Sequence, residues 1–240
     1  MDYLIIFSTM TNIGLIAEGV TDVTAIKHIV GRYLQNNVNI SPLQPKVVMK
    51  AGQLRQDETS EGGWAEVLSH CSDETFKDFF NSNASNQYII IQIDTDSCEH
   101  YGISPLDNTN AKKDYPVLAR EIRNVLLSKL SPAVRAIYEN KVIFAICGDE
   151  MECWLLPLMM PSLSSNKMCI NNCVYHLNQI IGKEGYCVVP DDKNSPRSQL
   201  AYSYVLRQMK KKSLEYMRAH TSGLDEFLRQ LDNVVIEEEE

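Results

Sequence analysis

The 240-residue chain has no hydrophobic run long enough to cross a membrane, and no basic segment precedes the apolar residues near its start. From these absences we expect neither a membrane-spanning helix nor a secretory signal peptide, and we expect a cytoplasmic protein without a membrane partner. We interpret residues 1–11 as an N-terminal tail, with Met10 as an alternative start. With 44% hydrophobic and 22% charged residues, the chain has the composition of an ordinary globular protein.

The cysteines do not form a regular framework. There are seven, an odd number, at scattered positions and several in apolar segments. This pattern argues against a disulfide-rich secreted domain and predicts reduced thiols. Cys169, Cys173 and His176 could be grouped as a zinc site. No second ligand pair has zinc-ribbon spacing, however, so we favour a helix that buries these residues.

Positive charge is scarce overall, since the formal net charge is −8. Half of this excess comes from the last four glutamates, within an acidic tail placed at residues 233–240 and expected to be solvated. Between Lys193 and His220 the balance reverses, and this basic stripe predicts contacts with the phosphates of a nucleic acid. Its candidate binding residues are Arg197, Arg207, Lys210, Lys211 and Lys212. A solvated helix face is the alternative, and the few tyrosines of the stripe give no support for base-specific reading.

Strand and helix patterns alternate through the first 160 residues. Strands are predicted at 12–17, 45–50, 88–93 and 141–146, and helices at 21–35, 64–80 and 116–130. Polar residues predict loops at 53–63 and 97–113, and the second loop is a candidate substrate-facing lid. Further helices are predicted near 171–182, 197–213 and 222–231.

This order of elements predicts an α/β fold in which helices flank a mainly parallel four-stranded sheet, as in Rossmann-like domains. We assign the sheet and its helices to one domain over residues 12–160. The helical pattern that follows is assigned to a C-terminal extension over residues 161–232.

Acidic residues follow three of the four predicted strands. They are Glu18 with Asp22, Asp94 with Asp96, and Glu150 with Glu152. The carboxyl ends of parallel strands share one edge of a sheet, where open α/β sheets bind their ligands. Carboxylates gathered there repel one another unless a cation lies between them, and a hard divalent cation suits oxygen ligands. All six acids are therefore candidate metal ligands, and Gly19 is expected to let the backbone turn sharply beside them.

Two short motifs, each after an apolar strand, resemble those of the TOPRIM domain of topoisomerases, bacterial primases and small nucleases. They are Glu18-Gly19-Val20-Thr21-Asp22 and Asp94-Thr95-Asp96. The resemblance covers residues 12–160. It implies that Glu18 acts in acid–base chemistry or binds metal, and that Asp94 and Asp96 bind Mg²⁺ or Mn²⁺. The segment 147–155 resembles the glutamate-rich motif of stand-alone TOPRIM proteins of antiphage defence, such as the effector of the PARIS system. This implies that Glu150 and Glu152 hold a second ion.

A further resemblance, to OLD-type defence nucleases, concerns one basic catalytic residue that Lys193 or Arg197 would match. Together these resemblances imply a homodimeric nuclease that cleaves DNA or RNA, tRNA included, as the effector of a bacterial defence system. The chain lacks the zinc ribbon of primases and the catalytic tyrosine domain of topoisomerases. It also lacks a Walker phosphate loop, so an ATPase partner would be a separate chain.

Two other functions stay open at the level of sequence. Asp94 and Asp96 also resemble the nucleophile and the acid of HAD-type phosphatases. That fold normally opens with the aspartate strand, whereas here a Glu-Gly strand comes first, so we favour the nuclease. The other alternative is a non-catalytic subunit that docks a partner chain of a defence complex through the 97–113 loop and the helical extension.

Overall fold

The sheet at the centre of the protein is four-stranded and entirely parallel. A computed structural model describes residues 10–50, 52–160 and 172–235. The sheet strands are β1 (Thr11–Ile16), β2 (Val38–Gln44), β5 (Asn86–Asp94) and β6 (Val142–Cys147), and their order across the sheet is β2-β1-β5-β6. A separate antiparallel hairpin contains β3 (Val47–Lys50) and β4 (Gln53–Gln56). The predicted α/β fold with a mainly parallel four-stranded sheet is confirmed.

Ten helices surround the sheet in the described part of the chain. Those that follow β1, β4 and β5 are α1 (Val20–Tyr33), α2 (Trp64–His70), α3 (Asp73–Ser82), α4 (Tyr115–Ser128) and α5 (Pro132–Tyr138). Those that follow β6 are α6 (Met151–Met159), α7 (Cys173–Ile181), α8 (Pro196–Arg207), α9 (Lys211–His220) and α10 (Ser222–Leu231). None of the described helices combines the length and hydrophobicity needed to cross a membrane.

Two apolar cores lie on opposite faces of the sheet, because side chains alternate along each strand. In β6, Ile143 and Ala145 join the core formed with α1 and the helices after β6, whereas Phe144 and Ile146 join the core formed with α2 to α5. Both faces are covered, which explains why β5 and β6 read as continuous apolar runs. The C-terminal helices thus share a core with the sheet.

The second strand of the sheet was wrongly predicted. Residues 45–50 were assigned to it, but β2 lies at 38–44, and Val47–Lys50 pairs with Gln53–Gln56 in the hairpin. Pro42 lies inside β2 and obscured the strand in the sequence. A proline is tolerated there because β2 is an edge strand that pairs only with β1.

Two predicted helices are divided in the structure. The helix predicted at 64–80 breaks at Cys71, because Ser72 caps a new helix by accepting a hydrogen bond from the Thr75 N–H. The helix predicted at 197–213 ends at Arg207, and α9 begins at Lys211. The prediction also missed α5. Residues 97–113 contain a short 3₁₀ turn and one isolated bridge, in agreement with the predicted loop.

The prediction of reduced thiols is wrong at one pair. Cys153 in α6 and Cys173 in α7 form a disulfide, while Cys71, Cys98, Cys147 and Cys187 are free. No spacing pattern marks this pair in the sequence, because the disulfide joins two helices that only tertiary packing brings together. Cys169 and most of the predicted tails lie outside the described residues, and the disulfide takes Cys173 out of the grouping with Cys169 and His176.

Candidate functional site

Glu18 and Asp94 lie side by side at the carboxyl ends of β1 and β5. The Glu18 carboxylate accepts a hydrogen bond from the Asp94 backbone N–H at 2.7 Å. Gln92 holds both residues, since its Oε1 accepts the Glu18 N–H at 3.0 Å and its Nε2 donates to the Asp94 carboxylate at 2.9 Å. Sequence reasoning missed Gln92, although a single polar residue inside an apolar strand is a signal that it has a buried partner.

Asp22 enters the same cluster from the first turn of α1, where it is buried. The helix begins directly after Glu18 and Gly19, so the strand end and the first helical turn place the two carboxylates together. Asp22 lies within electrostatic range of Glu18, Glu152 and Lys193. The positive end of the helix dipole also favours a carboxylate at this position.

Lys193 supplies the positive charge of the cluster. Its Nζ lies 2.9 Å from a Glu150 carboxylate oxygen and 3.0 Å from a Glu152 carboxylate oxygen. Glu152 is fully buried, and its other oxygen accepts the Tyr202 hydroxyl at 2.7 Å. The second oxygen of Glu150 accepts the Val174 N–H at 2.9 Å. In this structure the cation between the two glutamates is therefore an ammonium, and Tyr202 is a further site residue that the sequence did not reveal.

Asn194 ties the Lys193 loop to the turn after β1. Its side-chain oxygen accepts the Val20 N–H at 3.0 Å. A Cβ atom on Gly19 would lie 2.7 Å from the same oxygen, so only glycine leaves room for this contact. Gly19 has φ −150°, which any residue adopts. Gly19 is therefore not needed for the special backbone conformation that the sequence led us to expect. It is needed because a larger side chain would collide with Asn194.

The turn that carries Asp96 is held by the neighbouring strand end. The Thr95 and Asp96 N–H groups both donate to the Asp149 carbonyl, at 3.0 and 3.1 Å, and the Thr95 hydroxyl accepts the Asp149 N–H at 2.7 Å. Asp96 itself is exposed. It lies at the mouth of the cluster, whereas Asp94 points into a buried setting at 6% exposure.

Burial of so many acids shifts their protonation. Burial raises the pKa of Glu18 to about 7, and the charge of Asp96 adds to the shift. Burial together with the neighbouring carboxylates raises the pKa of Asp22 and of Asp94 well above the usual range of an aspartate. Burial alone would lower the pKa of Lys193, but the attraction of Glu152, Asp94 and Glu150 outweighs it and raises that pKa. With all of these acids ionised, the cluster would carry more negative charge than Lys193 alone can balance.

The donors that could hold a metal ion are the oxygens of Glu18, Asp22 and Asp94, with Asp96 at the mouth. Hard divalent cations prefer such oxygen ligands, and one would offset the unbalanced charge. The tightest group of ligand atoms in the described ranges is a different one, Asp149, Glu150 and Cys153, within 4.8 Å of one another. Cys153 is in a disulfide and the Glu150 carboxylate already accepts two hydrogen bonds, so this group has few atoms free to bind a metal ion.

No other three ligand atoms in the described part of the chain lie within that distance. An ion shared by Glu18, Asp22 and Asp94 would therefore require side-chain rotation or bridging waters. Mg²⁺ commonly keeps several of its waters in protein sites, so the donor set still fits.

The predicted nucleic-acid-binding residues lie outside this cluster. Arg197 is exposed in the first turn of α8, close in sequence to Lys193. The other four residues are exposed at or beyond the far end of α8; they are Arg207, Lys210, Lys211 and Lys212. At 1.5 Å per residue, α8 is about 18 Å long, and its length separates them from Arg197. Of the two candidate basic catalytic residues, Lys193 is the one that contacts the acidic cluster.

No family model, curated protein or solved structure matches this chain. The functional assignment therefore depends on the geometry of the site and on the motifs that form it.

Proposed function

We propose that this protein is a metal-dependent nuclease of the TOPRIM type, which hydrolyses phosphodiester bonds in DNA or RNA. The observation that carries the proposal is the buried cluster of Glu18, Asp22 and Asp94 facing Lys193 at the carboxyl edge of a parallel sheet. A purely structural role does not explain two buried acids and a half-buried one with a single nearby lysine, because their repulsion destabilises the fold. Such a cost is typical of functional sites.

The metal would be held by Glu18, Asp22 and Asp94, with Asp96 at the entrance. When bound, Mg²⁺ or Mn²⁺ polarises a phosphodiester and lowers the pKa of a water ligand. Glu150 and Glu152 were assigned to a second ion by resemblance. Because Lys193 lies between them with both carboxylates hydrogen-bonded, we propose that their main role is to hold Lys193.

Glu18 is the proposed proton-transfer group. It lies at the strand end beside Asp94, it is partly exposed, and in the metal-free protein its pKa of about 7 lets it gain or lose a proton near neutral pH. Lys193 is the proposed electrostatic group, which offsets negative charge that develops on the phosphoryl oxygens. The attraction of its two carboxylate partners and of Asp94 outweighs the effect of burial and keeps its ammonium protonated and in place.

The biological setting is proposed from the resemblance alone. It is the effector role in a bacterial antiphage system, with a homodimeric nuclease, an ATPase supplied by a separate chain and tRNA among the candidate substrates. These proposals are separable from the chemistry, which the cluster supports independently.

The test compares wild-type protein with the Asp94→Asn variant on pools of DNA and RNA in Mg²⁺ or Mn²⁺. We expect cleavage by the wild type and none above background by the variant. Asp94→Asn should leave the fold intact or more stable, since it removes a buried charge from a repulsive cluster. Asp78→Asn, an exposed acid of α3, is the matched control and should cleave normally. Identical behaviour of wild type and Asp94→Asn on every substrate would contradict the proposal.

The two alternatives predict different results. A HAD-type phosphatase would use Asp94 as nucleophile, yet Asp94 is 6% exposed and its carboxylate accepts a hydrogen bond from Gln92. It would hydrolyse a phosphate monoester such as p-nitrophenyl phosphate and tolerate Glu18→Gln, whereas the nuclease should lose its activity in that variant. A non-catalytic subunit would bind nucleic acid or a partner chain without any metal-dependent cleavage.

A further inference from the structure

A second site of opposite charge lies on α1, away from the acidic cluster. A cavity of about 410 Å³ opens beside the helix and reaches Leu54 of β4. Its titratable side chains are all basic, namely Lys27, His28 and Arg32. Asn36 adds an amide group that can donate hydrogen bonds, whereas the Thr24 hydroxyl already donates to the Val20 carbonyl at 2.8 Å. In a chain with a net charge of −8, a cavity with only basic titratable groups is an uneven distribution that indicates a ligand.

The cations of this cavity have no acidic partners within the described residues. Neither Lys27 nor Arg32 forms an ion pair there, although eleven such contacts occur elsewhere. Lys27 is partly buried, and this burial lowers its pKa. The buried Nε2 atom of His28 also lacks a hydrogen-bond partner. Arg32 lies in the last turn of α1, where the negative end of the helix dipole stabilises its charge. Lys27 lies in the middle of the helix and has no such stabilisation.

The cavity adjoins the basic stripe that the sequence predicted. The His28 ring lies near the backbone of Leu206, one residue before the exposed Arg207. Lys211 lines a neighbouring cavity with Tyr33 and Leu34, the residues that follow Arg32. The acids Glu215 and Asp232 line that second cavity too and mark the limit of the basic surface.

The distance from the acidic cluster suits a continuous substrate. Lys27 and Arg32 follow Asp22 by five and ten residues, which is about 7.5 and 15 Å along the helix axis. One strand of a duplex carries a phosphate about every 3.4 Å of its length, so a few nucleotides span this distance.

We propose that Lys27, Arg32 and Asn36, continued by Arg207 and Lys211, bind the phosphate backbone of the nucleic acid on one side of the cleaved bond. This inference rests on the proposed nuclease function and adds to it a path for the substrate along α1. The contacts are to phosphates, so they hold the strand without reading its sequence.

The experiment measures binding separately from cleavage. A fluorescent 30-nucleotide single strand is titrated in EDTA, at several salt concentrations, against wild type and Lys27→Glu/Arg32→Glu. Arg120→Glu/Lys129→Glu is the matched control, because these exposed cations of and beside α4 lie on the other side of the sheet. Far-UV circular dichroism and thermal melting check the fold of each variant. The charge-conserving Lys27→Arg/Arg32→Lys variant provides a second comparison.

We expect the α1 reversal to weaken binding at least tenfold and to reduce the slope of log affinity against log salt by about 1.4, the value for two lost single-strand contacts. The control and the charge-conserving variant should bind like wild type. Equal binding by the two reversal variants would overturn the α1 path, even if all proteins cleave in Mg²⁺ and the nuclease function stands. Binding as tight to a mononucleotide as to the strand would also overturn it. Loss of binding only in the α1 variant, with no cleavage by any protein, would retain the surface and reject the nuclease.

Discussion

At the scale of single residues, the site is defined by one lysine among several acids. Lys193 lies on a loop far along the chain from Glu18 and Asp94, yet its ammonium contacts Glu150 and Glu152 and lies within electrostatic range of Asp94. The Glu152 side chain is fully shielded from solvent, so water does not stabilise its charge. The ammonium therefore contributes to the fold as well as to the proposed chemistry.

Replacing Lys193 by methionine should affect both stability and activity. The change leaves Glu150 and Glu152 without their cation, and breaking a buried pair in this way costs about 3 kcal/mol. We expect that loss in urea unfolding, together with at least a hundredfold loss of cleavage. Lys193→Arg should recover most of the stability. Lys183→Met, at an exposed lysine, is the control, and equal stability of the two methionine variants would count against the buried pair.

Metal affinity should rise with pH around neutrality. The pKa of Glu18 is raised to about 7 by burial, so below that pH the metal-free carboxyl holds a proton that an ion must displace. Affinity for Mg²⁺ is therefore expected to increase between pH 6 and pH 8, with proton release at the lower pH. Calorimetry in two buffers of different ionisation enthalpy measures both effects. An affinity independent of pH would show that Glu18 does not bind the ion.

At the scale of elements, hydrogen bonds connect the turns after β1 and β5 to other loops at the carboxyl edge of the sheet. The turn after β1 is held by Asn194, and the turn after β5 is held by the Asp149 carbonyl. The turns are short and hydrogen-bonded, so the site acids have little freedom to move apart.

Gly19→Ala tests how closely these elements approach. A Cβ at this position would lie 2.7 Å from the Asn194 side-chain oxygen and 3.1 Å from an Asp22 carboxylate oxygen. We expect a loss of about 1–3 kcal/mol in the free energy of unfolding, as for other overpacked positions. Cleavage should fall at least tenfold, because the Val20 contact with Asn194 is disturbed.

The control for this change is Gly182→Ala. Gly182 has φ −60° and no atom within 4 Å of the added methyl group, so its stability should stay equal or rise by about 0.4–1 kcal/mol. Urea denaturation of both variants provides the comparison. If they behave alike, the space at Gly19 is not restricted.

At the scale of the whole molecule, the helices after β6 are part of the main core. Phe227 of α10 stacks on Trp154 of α6, with ring centroids 5.6 Å apart. Gln230 of α10 pairs with both the N–H and the carbonyl of Phe144, which covers the outer edge of β6. The extension assigned from sequence therefore completes the sheet domain.

Phe227→Ala should destabilise the whole protein by about 3–5 kcal/mol, the usual cost of removing a buried aromatic side chain. Urea unfolding is followed by circular dichroism and by tryptophan fluorescence. Trp154 and Trp64 lie on opposite faces of the sheet, so the fluorescence reports on both cores. We expect both signals to change in one shared transition. Leu200→Ala, at an exposed leucine of α8, is the control. Two separate transitions would instead indicate an independent C-terminal domain.

The sequence was most informative where the pattern was local. The apolar runs that end in Asp94 and at Gly148 predicted β5 and β6 within two residues, because strands buried on both faces are apolar throughout. The prediction failed at β2, where an edge position permits Pro42 and polar residues. It also failed at the disulfide between Cys153 and Cys173, which depends on how α6 packs on α7.

The sequence by itself determined the α/β class, the parallel strands and the acids at their carboxyl ends, because these follow from side-chain periodicity along each segment. Only the tertiary structure decided which partners those acids have. It joined Gln92, Asn194 and Tyr202 to the cluster, brought Lys193 into contact with Glu150 and Glu152, and left the other candidate basic residues exposed. The physical reason is that charge and hydrogen bonding act between atoms close in space, and these residues are up to 184 positions apart in the chain (Glu18 to Tyr202).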